Sequence, residues 1–478
     1  MTEAVSPSLT SGRPAPYNGW MQRDLTKGSV VGNLLAMSVP TMFGMLGQTL
    51  YDVVDMIWIG RISGNAVAGV ALFSAMFWLV EVLNEIIGVS SVAMITQSYG
   101  AGDTERTRRV IEQTIVFKAF MAVIAAVLLN LFLEPLIRFF STDPEVVRSA
   151  LEYGRVRVFF LPIFFATYSC FTALRCTGDP GSQMWIMLGA SILNTILDPL
   201  FMFETVPGLG WKGLGLGVFG AGLATVISIC LAFAVGFGLL VSGRNKIKLS
   251  IGGLFRLDPA IDRKLLTIGL PSGGEMLARQ LAGLVTTKFV AFYGTAAIAA
   301  LGIGNRLGGL VFMPLFGLMS GGGTIVGQNL GAENPERAEK TARAASLLGG
   351  FAITALMGLA IAFPRSVMGV FVDSAETIEV GVSMIRLMGS SFIVVSFAIA
   401  LGCAFSGSGY NLPFLVSSLA GRWGAQVPFL VLAVYVLPRF GLVLGIRGVW
   451  ASFLVSDAVE ALVILAYYRR GDWKRVRV

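Results

Sequence analysis

Eight acidic side chains interrupt the most apolar stretches of this 478-residue chain: Asp52, Asp55, Glu81, Glu85, Asp198, Glu275, Asp457 and Glu460. A carboxylate in apolar surroundings pairs with a cation, carries a proton or lines water. On insertion scales each charge at the centre of a bilayer costs roughly 2.5–3.5 kcal/mol, so five facing lipid would cost about 12–17 kcal/mol. That rivals the whole stability of a typical domain, about 5–15 kcal/mol. The chain has no histidine, so proton exchange near neutral pH falls to carboxylates in a desolvating environment.

Spacing groups these acids. Gln48, Asp52 and Asp55 are four and three residues apart, which places them on one face of a helix. Asn194 and Asp198 are again one turn apart, and Pro199 cannot donate to the carbonyl of Thr195. A carboxylate, an amide and a free carbonyl brought together are hard oxygen ligands suited to Na⁺ or to a shuttled proton. If the ion is Na⁺, Asp55, Asn194 and Asp198 are its expected ligands. No cofactor beyond this coupling ion is expected.

The elements that must position these groups follow from composition. Hydrophobic residues make up 55% of the chain and charged residues only 13%, about half the charge of ordinary globular domains, and the mean hydropathy is +0.75. Lipid is the solvent such a chain requires, which excludes soluble enzymes and nucleic-acid binders; the net charge of +8 reflects basic loops on one side of a membrane. Apolar runs recur at 34–60, 67–97, 110–133, 146–170, 183–204 and 215–241, then at 265–292, 298–327, 341–363, 377–402, 413–436 and 446–468. The expected fold is therefore an all-α integral membrane protein of twelve transmembrane helices.

Placing both termini in the cytoplasm puts 21 Lys and Arg inside and seven outside, so that orientation is predicted, in the cell membrane. Residues 1–33 then form a cytoplasmic tail with no signal-type apolar core, and 469–478 a basic one. Trp20, Trp185 and Trp473 fall at the predicted inner boundary and Trp58, Trp211 and Trp450 at the outer, as an aromatic belt would place them. The four cysteines, Cys170, Cys176, Cys230 and Cys403, lack metal or redox spacing and read as packing residues.

A repeat with an offset of 231 residues runs through the chain. It pairs Pro40 with Pro271, Gln97 with Gln328, Gly100 with Gly331, Ala101 with Ala332, Arg106 with Arg337 and Gly178 with Gly409. Each half crosses an even number of times, so the two share one orientation: two parallel six-helix repeats, an N-lobe at 34–241 and a C-lobe at 265–468, face each other across a central cleft. The charged stretch 242–264 is the linker. Such a plan favours alternating access by rocking of one bundle against the other. The same offset maps Asp55 to Thr286, Asn194 to Ala425 and Asp198 to Phe429. The architecture is repeated and the polar cluster is not, as expected if the cluster has a task beyond packing.

Leu50-Tyr51 followed by Asp55-Met56-Ile57-Trp58-Ile59-Gly60 resembles the first-helix motif of the multidrug and toxic compound extrusion (MATE) family. Gln97-Ser98-Tyr99-Gly100-Ala101-Gly102 with Arg106, and Gln328-Asn329-Leu330-Gly331-Ala332, resemble the loop after the second helix of each half. Ala173-Leu174-Arg175-Cys176-Thr177-Gly178-Asp179-Pro180 and Asn194-Thr195-Ile196-Leu197-Asp198-Pro199 resemble its fourth-loop and fifth-helix motifs. The resemblance covers nearly all of residues 30–470. It implies a twelve-helix exporter exchanging organic, often cationic and amphipathic, compounds for Na⁺ or H⁺. In the prokaryotic branch it implies a cation site at Asp55, Asn194 and Asp198, with Tyr153 and Thr225 in the same neighbourhood. Glu275, four residues after Pro271, resembles a seventh-helix acid of many members.

Other acids have two readings. Glu275 also stands one turn from Arg279, an intrahelical ion pair. Glu81, Asn84 and Glu85 share a face and lie outside the family motif; Glu81 and Glu85 either face the cleft and attract a cationic substrate or carry a proton, with Gln48 and Asp52 as further candidates for substrate or proton contact. Asp457 and Glu460 with Arg422 read as a structural network. Gly215-Leu216-Gly217-Val218-Phe219-Gly220 fits a dinucleotide fingerprint by letters, but it opens an apolar helix and follows no strand. The leading expectation is a monomeric antiporter of small organic compounds. Its rivals are a flippase or exporter of a lipid-linked or polysaccharide substrate, a membrane-embedded enzyme lacking any visible catalytic dyad, and a passive channel.

Overall fold

The computed structural model describes residues 23–243 and 247–478, and Trp20 with most of the N-terminal tail lies outside them. The N-terminal half holds α1 (Val30–Gly60), α2 (Gly64–Gly100), α3 (Thr104–Phe140), α4 (Pro144–Phe159), α5 (Leu161–Cys176), α6 (Pro180–Met202) and α7 (Gly217–Val241). The C-terminal half holds α8 (Pro259–Ala291), α9 (Thr295–Gly331), α10 (Pro335–Ala362), the short α11 (Pro364–Gly369), α12 (Ala375–Leu401), α13 (Cys403–Ser408), α14 (Leu412–Ser418), α15 (Val427–Val431) and α16 (Ile446–Arg470). Among the described residues these form twelve long segments. Ten are long and apolar enough to cross a membrane alone, and α4 with α5 makes an eleventh as a bent pair. The twelfth, α8, spans 33 residues but carries Glu275 and Arg279 in its middle, so it reads as polar when taken by itself.

Helix starts follow local chemistry. Ser29, Ser63, Asp103, Asp143, Asp179, Asp258, Asn334 and Ser374 each accept a first-turn N–H from their N-cap positions, satisfying donors that the helix itself cannot. These caps lie outside the apolar runs, which is why α3 extends to 104–140 where hydropathy predicts 110–133. The predicted single span at 146–170 is corrected to a pair bent by 57° that runs from Pro144 to Cys176. Pro162 lacks the N–H that would bond Val158 and its ring crowds that carbonyl, so α4 stops at Phe159. The eleventh segment is irregular as well: π-helical turns cover Leu419–Gln426 and Leu432–Val436. By contrast α1 runs unbroken through Pro40 and α6 through Pro199.

The lobes meet around a pseudo-two-fold relation that their close approaches make visible. A Cβ on Gly100 would sit 2.0 Å from the Gln328 carbonyl oxygen, and one on Gly331 would sit 2.0 Å from that of Gln97; only glycine permits either contact. The two glutamines also reach across: Gln97 donates to the Ser408 carbonyl at 3.1 Å and Gln328 to the Cys176 carbonyl at 2.8 Å. Nearby, Gly317 packs on Met42, Gly321 on Ser38 and Gly269 on the Ile86 carbonyl. The approaches at Gly100 and Gly331 hold the lobes together at the end where both ends of the described chain lie. Leu25 accepts there from Asn329 at 3.3 Å, and Val478 donates to Gln97 at 3.3 Å. The linker packs along α3, with Ser250 donating to Glu112 at 2.7 Å and Asp258 to Gln113 at 3.1 Å.

The expected aromatic belt holds only in part. Trp185 and Trp211 are exposed, whereas Trp450 and Trp473 are fully buried. Trp473 stacks on Tyr468 at 5.6 Å because the chain reverses at Gly471, whose φ of 76° suits glycine. All four cysteines are free.

Candidate functional site

Five of the residues singled out in the sequence converge inside the N-lobe, each from a different turn of four helices. Asp55 comes from α1, Tyr153 from α4, Asn194 and Asp198 from α6, and Thr225 from α7; all are 4% exposed or less. Tyr153 donates its hydroxyl to Asp55 Oδ2 at 2.9 Å. Asn194 Nδ2 donates to Asp198 Oδ1 at 3.1 Å and approaches Thr225 Oγ at 3.4 Å. Thr225 in turn donates to the Ala221 carbonyl of its own helix at 3.1 Å, which leaves its lone pairs facing Asn194.

Three oxygens of this cluster are buried and accept no hydrogen bond from any described residue: Asp55 Oδ1, Asn194 Oδ1 and Asp198 Oδ2. Buried acceptors nearly always have partners, and a buried carboxylate without compensation is costly. Two carboxylates within Coulombic reach of each other compound that cost. A proton or a small hard cation removes it, and carboxylate and amide oxygens are the ligand type such a cation takes. A cavity of ≈ 30 Å³ abuts the cluster, lined among others by Gln48, Tyr168, Asn194, Thr225 and Ser228. That exceeds the ~10–15 Å³ one water requires. Among the described residues no three His, Cys, Asp or Glu side chains gather as a metal site, so the set is two carboxylates plus neutral oxygens.

The first-helix stripe divides. Asp55 faces inward, Gln48 donates to Tyr168 at 2.7 Å along the cavity wall, and Asp52 is exposed and outside the cluster. Glu81 and Glu85 lie apart from it on α2. Asn84 donates to Glu81 at 3.0 Å, while Glu85 is exposed. Glu275 pairs with Arg279 at 2.6 Å, the intrahelical alternative, and lies within Coulombic reach of Glu85. Arg279 reaches on to Glu460 at 3.2 Å, and Arg422 pairs with Glu460 and with Asp457, each at 2.8 Å. The C-lobe acids thus close into one network with two arginines.

Two basic residues escaped the sequence reading. Arg157, one turn after Tyr153, donates to the Tyr153 hydroxyl at 3.1 Å; its spacing of four from Tyr153 was the available signal. Lys118 on α3 is 2% exposed and lies within Coulombic reach of Glu81 and Glu85. A lone lysine inside an apolar run is itself a signal. Tyr153 has a sharper role than proximity: with Arg157 donating to its oxygen, its proton turns to Asp55, so it clamps Oδ2 and leaves Oδ1 free.

Comparison with known proteins identifies the family to which this fold belongs. The MatE family model matches residues 40–200 and 271–432, once in each lobe. The chain is 27% identical over 457 residues to a Bacillus subtilis protein named probable multidrug resistance protein YoeA, covering 95% of this chain and 96% of that one. It is 25% identical over 448 residues to the probable multidrug resistance protein NorM of Thermotoga maritima, covering 92% and 93%. The FAD transporter of Shewanella oneidensis is 24% identical over 448 residues, covering 90% and 95%. Among solved structures, a MATE protein in a straight conformation superposes with a TM-score of 0.81 at 25% identity, covering 94% and 98%. A MOP-superfamily transporter from Pyrococcus furiosus gives 0.80 at 25%, covering 94% and 97%. With the family model matched over more than half of its length, the chain belongs to the MatE family of multidrug and toxic compound extrusion transporters.

Proposed function

We propose that this protein exports organic, cationic and amphipathic compounds across the cell membrane in exchange for Na⁺ or H⁺, acting as a monomer with both termini in the cytoplasm. The observation that carries the reading is the trio of buried, unpartnered oxygens on Asp55, Asn194 and Asp198. A coupling ion bound there neutralises two carboxylates that otherwise repel, and so favours the packing of α1 against α6. When the ion leaves, that packing is strained and the alternative arrangement of the N-lobe gains. An ion can shift the equilibrium only by its differential affinity for the two states, and a site assembled from α1, α4, α6 and α7 has that property because movement of any one helix dismantles it.

Orientation completes the cycle. With the termini cytoplasmic, the glutamine and glycine contacts close the cytoplasmic end, so the arrangement opens outward, where an exporter releases substrate and loads its ion. Acids exposed in the N-lobe, Asp52 and Glu85, supply the charge that an organic cation meets. The test is cellular: ethidium efflux by Asp55→Asn and Asp198→Asn variants, with surface expression measured in parallel. Each is expected to lose at least nine-tenths of ion-dependent efflux; full activity in both would end the proposal.

A further inference from the structure

Among the described residues Arg157 forms no ion pair of its own, and its guanidinium donates instead to the Tyr153 hydroxyl. Its guanidinium lies over three aromatic rings, 5.0 Å from the centre of Phe77, 5.3 Å from Tyr153 and 5.9 Å from Phe164. It reaches Asp55 through the Tyr153 hydroxyl rather than by a direct ion pair. Two hydrogen bonds end to end place the guanidinium nitrogen about 6 Å at most from Asp55 Oδ2. Other groups within its Coulombic reach are Tyr51 and Asp52 on α1, Glu81 on α2 and Tyr168 on α5. Thr225, Val226 and Ile229 of α7 complete the wall beside it. An arginine is charged at every accessible pH, so this positive charge is a permanent part of the region.

We propose that Arg157 is a resident competitor for the coupling ion: its fixed charge, relayed by Tyr153, partly compensates Asp55 when the ion is away and weakens the ion's hold when it is present. This rests on the reading of the Asp55 cluster as the coupling-ion site. The aromatic box matters because it stores a guanidinium at a set distance instead of letting it collapse onto Asp55, where it would displace the ion altogether. Two unit charges about 6 Å apart in an effective dielectric near 20 alter an ion's affinity by roughly tenfold to a hundredfold. An antiporter needs such moderation, since an ion bound too tightly is not released on the other side. Arg157 acts through Asp55 and Tyr153, so it is a positioning residue.

The sign of the effect separates this role from a structural one. The experiment measures ethidium antiport in proteoliposomes while Na⁺ and H⁺ are each titrated, for wild type, Arg157→Gln, Arg157→Lys and Asp55→Asn. In Arg157→Gln the half-saturating concentration of the coupling ion is expected to fall at least tenfold while the maximal rate also falls, because release becomes limiting. Arg157→Lys, which keeps the charge, is expected to stay within about threefold of wild type. A structural arginine gives the opposite sign: a rise in half-saturation in Arg157→Gln, or no change beside a wild-type rate, overturns the proposal. If Asp55→Asn keeps wild-type ion dependence, the site itself is misassigned and the proposal falls with it. If Arg157→Gln does not assemble, the ion-induced rise in melting temperature of purified Arg157→Lys and Tyr153→Phe decides. Tyr153→Phe, which cuts the relay, should show half its maximal rise at lower ion concentration than Arg157→Lys, and equal or higher values contradict the relay.

Discussion

The interiors of the two lobes solve the same problem in opposite ways. In the C-lobe, Glu275, Arg279, Glu460, Arg422 and Asp457 form a linear chain of ion pairs of 2.6–3.2 Å, in which every acid has a basic neighbour. In the N-lobe, Asp55 and Asp198 lie within Coulombic reach of each other, and one oxygen of each accepts nothing. The repeat sharpens the contrast. Thr286, the residue equivalent to Asp55, donates to the Ala282 carbonyl of its own helix at 2.9 Å and is satisfied locally. A network that completes itself holds a bundle together; one that completes itself only with a proton or cation makes the bundle's stability depend on that ion.

This contrast predicts opposite responses to neutralising substitutions. The largest loss of stability is expected from Arg422→Met, which leaves Asp457 and Glu460 buried without their shared cation. Breaking a buried pair on one side costs about 3–5 kcal/mol, read as a lowered melting temperature of the purified protein. Adding Asp457→Leu to it should recover part of the loss, and an unaltered melting temperature in Arg422→Met would refute the network's structural role. Next in size is Gly100→Ala, whose new methyl meets the Gln328 carbonyl. Overpacking of this kind costs about 1–3 kcal/mol, and it should loosen the closed end of the cleft, measured as faster labelling of a cysteine introduced at Ser408. Smallest is Asp198→Asn. Because it removes repulsion and keeps the shape, its stability should stay within about 1 kcal/mol of wild type or rise, read as a melting temperature that does not fall appreciably; a drop as large as that of Arg422→Met would place both lobes in one class.

Much of this was legible in the sequence, and the limits have physical causes. Apolar periodicity and the offset of 231 gave twelve segments in two like halves, since lipid demands long helices and duplication preserves spacing. The bend at Phe160 is invisible to hydropathy, which averages over Pro162, and its one sequence signal is that proline's missing N–H. The π-helical turns around Arg422 leave no mark in composition. At the site, i and i+4 spacing brought Asn194 and Asp198 together correctly, but the same rule grouped Asp52 with Asp55, and tertiary packing turned one out and the other in. Acid spacing carries no mark of Arg157, whose partners are a hydroxyl and three rings that tertiary packing brings to it. Its role depends on a hydroxyl's orientation, which only the neighbours fix.

The central claim is that the unpartnered oxygens of Asp55, Asn194 and Asp198 receive the coupling ion. Its most direct test is ethidium transport into proteoliposomes whose sodium and pH gradients are set independently. Wild-type protein should stop concentrating ethidium when one of the two gradients is abolished, and Asp198→Asn, though folded, should respond to neither. Transport by Asp198→Asn that still follows the same gradient with undiminished size would contradict the account.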